Sequence, residues 1–163
     1  MDYTAGCTDG AAEMRAAVPA ACPRGGDAGT KKVLIAEDYQ MLQLLYSEEL
    51  AEEGYDAAVC GDCATLLEMI EMHRPDIILL DIMLGAHNAL DLLPDIYALS
   101  RGALVLLNSA YSPAYSRAAF GVEGADYLVK SADIQPMKDK IRRLARSRQE
   151  GSGQNRRLPE DAA

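Results

Sequence analysis

A doubly wound α/β fold, with a five-stranded parallel sheet as the middle of three layers, is what the sequence predicts. Two observations carry that expectation. Short, wholly apolar runs such as Val33-Leu34-Ile35-Ala36 and Ile77-Ile78-Leu79-Leu80 have the form of strands buried on both faces. These runs alternate with segments whose apolar residues recur at helical spacing, and such alternation indicates βα units with parallel strands.

The elements follow in order. After the first strand, Met41, Leu42, Leu44, Leu45, Leu50 and Ala51 recur near helical spacing, and Gly54 supplies a stop. Tyr55 to Cys60 is the second strand. Asp62 can cap a helix carrying Leu66, Leu67, Met69 and Ile70, ended by Pro75. Ile77 to Leu80 is the third strand, followed by a helix around Ala89 to Leu99 and a fourth strand from Ala103 to Leu107. A short helix begins near Pro113. Tyr127-Leu128-Val129 makes the fifth strand, and Asp133 can cap a last helix holding Ile141 and Leu144. Pro136 falls in that helix's first turn, where a missing N–H does little harm. Right-handed crossovers make the whole a flavodoxin-like sandwich, whose ligands sit beyond the carboxyl ends of the strands.

Composition bounds the rest. The 163 residues leave room for one domain, and polar ends assign the fold to residues 31–148. Residues 1–30 carry few large apolar side chains and end in Pro-Arg-Gly-Gly-Asp-Ala-Gly, a flexible composition; residues 149–163 read as a loose polar tail. A net charge of −9 argues against general affinity for nucleic acid or anionic membrane. Cys7, Cys22, Cys60 and Cys63 form no secreted-type framework, and a reducing, cytoplasmic setting fits them better. Val18-Pro19-Ala20-Ala21-Cys22 is faintly like a lipoprotein cleavage site, but Asp2, Asp9 and Glu13 replace the positive, apolar lead that a signal needs. No run approaches membrane-spanning length.

The carboxyl ends of the strands carry a specific set of residues. The first strand ends in Glu37-Asp38, the third in Asp81, the fourth in Asn108-Ser109 and the fifth in Lys130. Three carboxylates at one sheet edge repel unless a cation neutralises them, and hard oxygen donors with positions left for water suit Mg²⁺. Lys130 adds a positive point charge and Ser109 a hydroxyl donor around an anion. A phosphoryl group on Asp81 would satisfy every one of these groups by carboxylate nucleophilic catalysis. Each residue alone has a bland reading: an acidic pair after a strand is often a solvated loop, and a lone Lys or Ser says little. The combination at matched strand ends is what carries the signal.

Lys32-Val-Leu-Ile-Ala-Glu-Asp38, Pro75-Asp-Ile-Ile-Leu-Leu-Asp-Ile-Met83, Leu107-Asn-Ser-Ala110 and Gly124-Ala-Asp-Tyr-Leu-Val-Lys130 resemble the successive motifs of response-regulator receiver domains. The resemblance runs from about Lys31 to Arg146. It implies that Glu37, Asp38, Asp81 and the main-chain carbonyl of Met83 hold Mg²⁺, and that Asp81 is the phosphoacceptor. It further implies that Ser109 and Lys130 bind the phosphoryl group, that Ser109 and Tyr127 form the switch, and that Met83 and Tyr111 tune dephosphorylation. Met83 cannot orient a water and Tyr111 is bulky, so slow self-dephosphorylation is expected. The implied partners are a sensor histidine kinase or phosphotransfer protein, and a downstream protein met through the fourth helix, fifth strand and last helix. A homodimer is compatible with the family; direct DNA binding is not expected. The protein is then a switch rather than a turnover enzyme.

Three departures stand out. Gly85 replaces the usual Pro four residues after the phosphoacceptor and loosens the loop; Asn88-Ala89 replaces Asp-Gly and alters a turn. Ser131 replaces the Pro after the lysine, which favours a trans peptide and a less firmly aimed Lys130. They motivate an alternative, a pseudo-receiver that is not switched by phosphate. A remoter alternative, a metal-dependent phosphohydrolase of the haloacid-dehalogenase kind, lacks its second Asp, the position being Met83.

Cys60-Gly-Asp-Cys63 has metal or redox spacing but no further ligands, and on the expected edge strand and loop it reads as unremarkable thiols. His73 and His87 read as exposed. Lys138, Lys140, Arg142, Arg143, Arg146 and Arg148 make the last helix basic, with a solvated face as the default and a docking surface as the sharper alternative.

Overall fold

Apolar β-rich runs build five parallel strands in one sheet: β1 (Lys32–Ala36), β2 (Asp56–Cys60), β3 (Ile77–Asp81), β6 (Leu104–Ser109) and β7 (Ala125–Val129). Their spatial order is β2-β1-β3-β6-β7, the doubly wound order that reverses direction beside β1. Between β3 and β6 a short ribbon, β4 (Met83–Leu84) and β5 (His87–Asn88), adds an antiparallel pair. The helices are α1 (Gln40–Glu52), α2 (Cys63–His73), α3 (Leu93–Leu99) and α4 (Gln135–Gly153), with a 3₁₀ turn at Ala89–Leu92 leading into α3. This structure is a computed structural model that describes residues 29–110 and 125–153. The N-terminal extension to residue 28, Tyr111, the short helix expected from Pro113 and the tail past residue 153 lie outside the described residues.

Every residue of β3 is buried, as a central parallel strand requires. Alternate side chains feed two cores. Leu34, Ile78, Leu80, Val105, Leu107 and Tyr127 face α2 and α3, meeting Leu66, Ile70, Leu93 and Ile96. Val33, Ile35, Ile77, Leu79 and Leu106 face α1 and α4, meeting Tyr46, Leu50, Met137 and Ile141.

Among the described residues the strands and helices match the sequence reading, with differences that have local causes. The fourth strand continues through Asn108 and Ser109, because β3 pairs with it as far as Asp81 opposite Asn108. In α1 the buried residues are Gln43, Tyr46 and Leu50, while Met41 (61% exposed), Leu44 (53%) and Leu45 (37%) face outward. A Leu-rich helix offers several apolar stripes, and packing against β1 and β2 selected a different one from the stripe its spacing predicts. Asp62 caps α2, its side chain accepting the Thr65 N–H at 2.8 Å. Asp133 accepts the Gln135 N–H at 3.0 Å where α4 begins.

The loop after Asp81 is not loosened by Gly85. It closes as a tight hairpin, Leu84 pairing with His87, and Gly85 turns it at φ +65°. Proline, locked near φ −65°, cannot occupy that turn. Asn88 starts the next element, its side chain accepting the Leu90 N–H at 3.1 Å.

Candidate functional site

The parallel register delivers the candidate residues to one edge. Ala36 lies opposite Leu80, so Glu37 and Asp81 emerge side by side from β1 and β3. Glu37 is only 2% exposed and Asp81 is buried, whereas Asp38 is exposed. Ligand oxygens of all three lie within 4.8 Å of one another. Lys130 follows β7 and is fixed to the sheet by its own N–H, which donates to the Ser109 carbonyl at 2.7 Å. Its ammonium reaches across to donate to Glu37 Oε2 and to Asp81 Oδ2, each at 2.7 Å. The Lys130–Ser131 peptide is trans, yet the side chain is held by two carboxylates, so the expected loss of aim is not found.

Electrostatics follow from burial. Desolvation pushes the Glu37 carboxyl above the usual carboxylate range, against the pull of the Lys130 hydrogen bond. Burial also works against the Lys130 charge, but its hydrogen bonds to Asp81 and Glu37 outweigh it and hold the ammonium above its ordinary value. The Met83 N–H donates to Asp81 Oδ1 at 3.1 Å, leaving the Met83 side chain exposed beside the carboxylate. Ser109 and Tyr127 are buried on neighbouring strands, with Leu107 opposite Tyr127 and Ser109 opposite Val129. Tyr127, at 9% exposure, packs in the core cluster with Leu107. Tyr111 is outside the described residues.

The donor set fits a hard divalent cation. Three carboxylates converge, two of them buried, and the one exposed member, Asp38, leaves a side open to water. Aspartate and glutamate oxygens without sulfur or imidazole point to Mg²⁺ rather than Zn²⁺.

Of two further polar residues at this edge, Gln43 was missed in the sequence and Asn108 was noted at the strand end without a role. Gln43 is buried on α1 and donates through Nε2 to the Glu37 carbonyl at 2.5 Å, fixing the turn that presents Glu37 and Asp38. Gly61 makes room for it: a Cβ there would stand 3.1 Å from Gln43 Nε2. Asn108 is buried opposite Asp81, and its Oδ1 has no hydrogen-bond partner. A lone polar residue inside an apolar run was the available signal for Gln43, and the end of the fourth apolar run for Asn108.

Other candidates resolve as structural. Cys63 opens α2, contrary to the expectation of a loop position, but burial first and the Asp62 carboxylate second push its thiol up. Cys60 is pushed up to about 12, chiefly by burial. Both stay protonated thiols, the inert kind. His73 is half-buried rather than exposed, and burial lowers its pKa; His87 is exposed in β5. The basic last helix is largely neutralised within the fold: Lys138 meets Glu49 and Glu53, Arg142 meets Glu53, Lys140 and Arg143 meet Asp126, and Arg148 meets Asp76.

A doubly wound sheet with a lysine-bridged acidic edge defines a class of small α/β signalling domain. Residues 33–142 match the family model for the response regulator receiver domain, and the chain belongs to that family. Among curated relatives, the probable transcriptional regulatory protein TcrX of Mycobacterium tuberculosis is 30% identical over 124 residues, covering 76% of this chain and 53% of the relative. The response regulator ArlR of Staphylococcus saprophyticus is 34% identical over 116 residues, covering 71% of this chain and 52% of the relative. The chain thus spans about half the length of the curated relatives it matches. Among solved structures, the response regulator TrrA of Thermotoga maritima, in complex with Mg²⁺-BeF, aligns at TM-score 0.64 and 28% identity, covering 71% of this chain and 99% of that one. The signal receiver domain of a putative Luxo repressor protein from Vibrio parahaemolyticus aligns at TM-score 0.70 and 20% identity, covering 78% of this chain and 99% of that one, and supports the fold alone. This chain carries a receiver domain, a domain of phosphorylation signalling. Among the described residues no helix is long and apolar enough to cross a membrane.

Proposed function

We propose that this protein is a phosphorylation-activated switch in which Asp81 accepts a phosphoryl group from a sensor histidine kinase or phosphotransfer protein. The observation that carries the reading is the Lys130 ammonium, 2.7 Å from both Asp81 and Glu37 at the edge where Asp38 completes three carboxylates. Glu37, Asp38, Asp81 and the Met83 carbonyl would hold Mg²⁺, which supplies charge neutralisation at the transferring oxygens. An Asp81 oxygen forms the new bond to phosphorus as the bond from phosphorus to the donor imidazole breaks. The donor nitrogen keeps the electron pair and takes a proton. Lys130 then holds a phosphoryl oxygen in place of the Asp81 carboxylate, and Ser109 donates its hydroxyl to another.

The change at Ser109 biases a two-state element that includes Tyr127 on the adjacent strand. Phosphorylation would draw Ser109 toward the phosphoryl group and favour the inward Tyr127 ring, for which the core has a place. A downstream partner would read the surface that includes β7 and α4; a second copy of the chain is one candidate. On this reading residues 31–148 form the receiver unit in a cytoplasmic setting, and the protein is a switch rather than a turnover enzyme.

Intact-mass measurement with acetyl phosphate tests the assignment. Wild type should gain one phosphoryl group only with Mg²⁺ present, and Asp81→Asn none. Equal modification of both would overturn it. Beryllofluoride should then shift NMR resonances of β7 and α4; shifts confined to the metal site would instead favour a pseudo-receiver.

A further inference from the structure

The opposite end of the sheet holds a second cluster of charge that the signalling reading does not use. Where α2 and α3 end, a cleft of about 440 Å³ opens between them, with Arg74, Arg101 and Arg148 on its walls. That volume lies in the range of small-molecule sites. Arg74 (φ 52°) and Arg101 (φ 51°) are the two non-glycine residues with positive φ among those described. The left-handed conformation is one that glycine or asparagine normally takes, and side chains held there against strain cluster at binding sites.

The three arginines are not equally engaged. Arg148 is engaged, its Nε 3.0 Å from Asp76 and its guanidinium bonded to the Gly102 carbonyl. Arg74 and Arg101 are exposed and make no ion pair or side-chain hydrogen bond with any described residue. Helix ends do attract cations to their carbonyls. Here, however, the backbone N–H groups of Arg74 and Ser100 already cap the Ile70 and Ile96 carbonyls. Next to Arg101 the cleft is lined by Ser100, 6% exposed, whose hydroxyl has no partner. A buried hydroxyl left unpaired is costly, and an oxygen-rich ligand in the cleft would satisfy it.

We infer that this cleft binds the phosphate group of a small phosphomonoester. Two planar guanidinium forks match a dianionic phosphate in charge and in hydrogen-bond geometry, and the Ser100 hydroxyl adds a third donor. Ile70, Pro75 and Leu99 give the cleft an apolar wall against which the ester's organic part can pack. Glu71, which also lines the cleft, selects against ligands with further negative charge beside the phosphate. The site lies at the amino ends of β3 and β6, so it is independent of Asp81 at their carboxyl ends.

NMR titration of the full chain, without Mg²⁺, with inorganic phosphate and separately with glycerol phosphate tests the inference. Saturable shifts centred on Ser100 and Arg101 are expected, with the ester bound more tightly than the free ion. Binding of the free ion alone would overturn the ester assignment. The double substitution Arg74→Gly with Arg101→Gly removes both guanidiniums while relieving the positive-φ strain. Its thermal midpoint should not fall, and its phosphate affinity should drop about tenfold or more, one decade being the scale of a lost hydrogen bond to a charged group. Ser100→Ala provides a second readout that leaves both arginines in place and should also weaken binding. Absence of saturable shifts with either probe, or affinity unchanged in both variants, would overturn the site and leave the arginines as helix-end charges.

Discussion

Lys130 Nζ stands 2.7 Å from Asp81 Oδ2, and the same ammonium stands 2.7 Å from Glu37 Oε2, so one cation bridges two buried carboxylates from different strands. The bridge offsets repulsion that burial would otherwise make severe. It also places Lys130 in competition with any divalent cation for the same oxygens.

Substitution Lys130→Met should therefore have opposite effects on metal binding and on phosphorylation. Removing the ammonium leaves Glu37 and Asp81 without their cation, so Mg²⁺ should bind more tightly than in wild type. Phosphorylation by acetyl phosphate should slow because the transferring oxygens lose their positive partner. Stability without metal should fall, by less than the ~3–5 kcal/mol typical of a fully buried broken pair, since Lys130 retains some exposure, and Mg²⁺ should restore part of it. Calorimetric Mg²⁺ titration with thermal denaturation checks this; weaker Mg²⁺ binding would contradict the competition.

Asp62 provides a pH-dependent contribution at the start of α2. The Thr65 backbone N–H, and then its hydroxyl, stabilise the ionised carboxylate and hold its pKa below the ordinary value. A folded pKa below the unfolded one means that the contribution is complete above the unfolded pKa and is lost as pH falls through the folded one. Asp62→Ala should cost about 1 kcal/mol at neutral pH, the usual worth of such a cap. The difference from wild type should shrink on acidification below the ordinary aspartate value of 3.8. Denaturant melts at neutral and strongly acidic pH measure it, and a difference independent of pH would exclude the carboxylate as its source.

Gly85 should tolerate neither alanine nor proline, and for separate reasons. A Cβ added at this position would meet no atom within 4 Å, so space is not the obstacle; the φ of +65° is. Alanine there should cost about 1–2 kcal/mol from left-handed strain. Proline, unable to reach positive φ, should cost more and disturb the hairpin. Thermal melts of both variants rank the effects, and a proline variant at least as stable as wild type would contradict the hairpin.

Met83 presents an apolar, half-exposed side chain next to the proposed phosphoacceptor, its own N–H bonded to Asp81. It has no group to orient an attacking water. Met83→Asn should accelerate loss of the phosphoryl group by up to ~10²-fold, the lower end of what a positioned proton-transfer group contributes. Phosphate release from the phosphorylated protein gives the rate directly; no change would show that this side chain does not gate the water.

Much of this protein was legible in its sequence, because parallel strands buried on both faces must be continuously apolar and each is short. The run before Asp81 and the run before Glu37 thus announced both the strands and the edge where their terminal carboxylates gather. Local chemistry also sufficed for the Asp62 cap, which acts on a residue three positions away. What the sequence left open depends on contacts between distant segments. Spacing alone did not select the α1 face that buries Gln43, Tyr46 and Leu50, since a leucine-rich helix has more than one apolar stripe. Nor did it show that Lys130 would span 93 residues to Glu37, or that Lys138 and Arg142 would spend their charge on Glu49 and Glu53 of α1 and its C-terminal cap. Such pairs have no local periodicity: they exist only after the crossovers have brought strands and helices together, and burial then decides which charges must find one another.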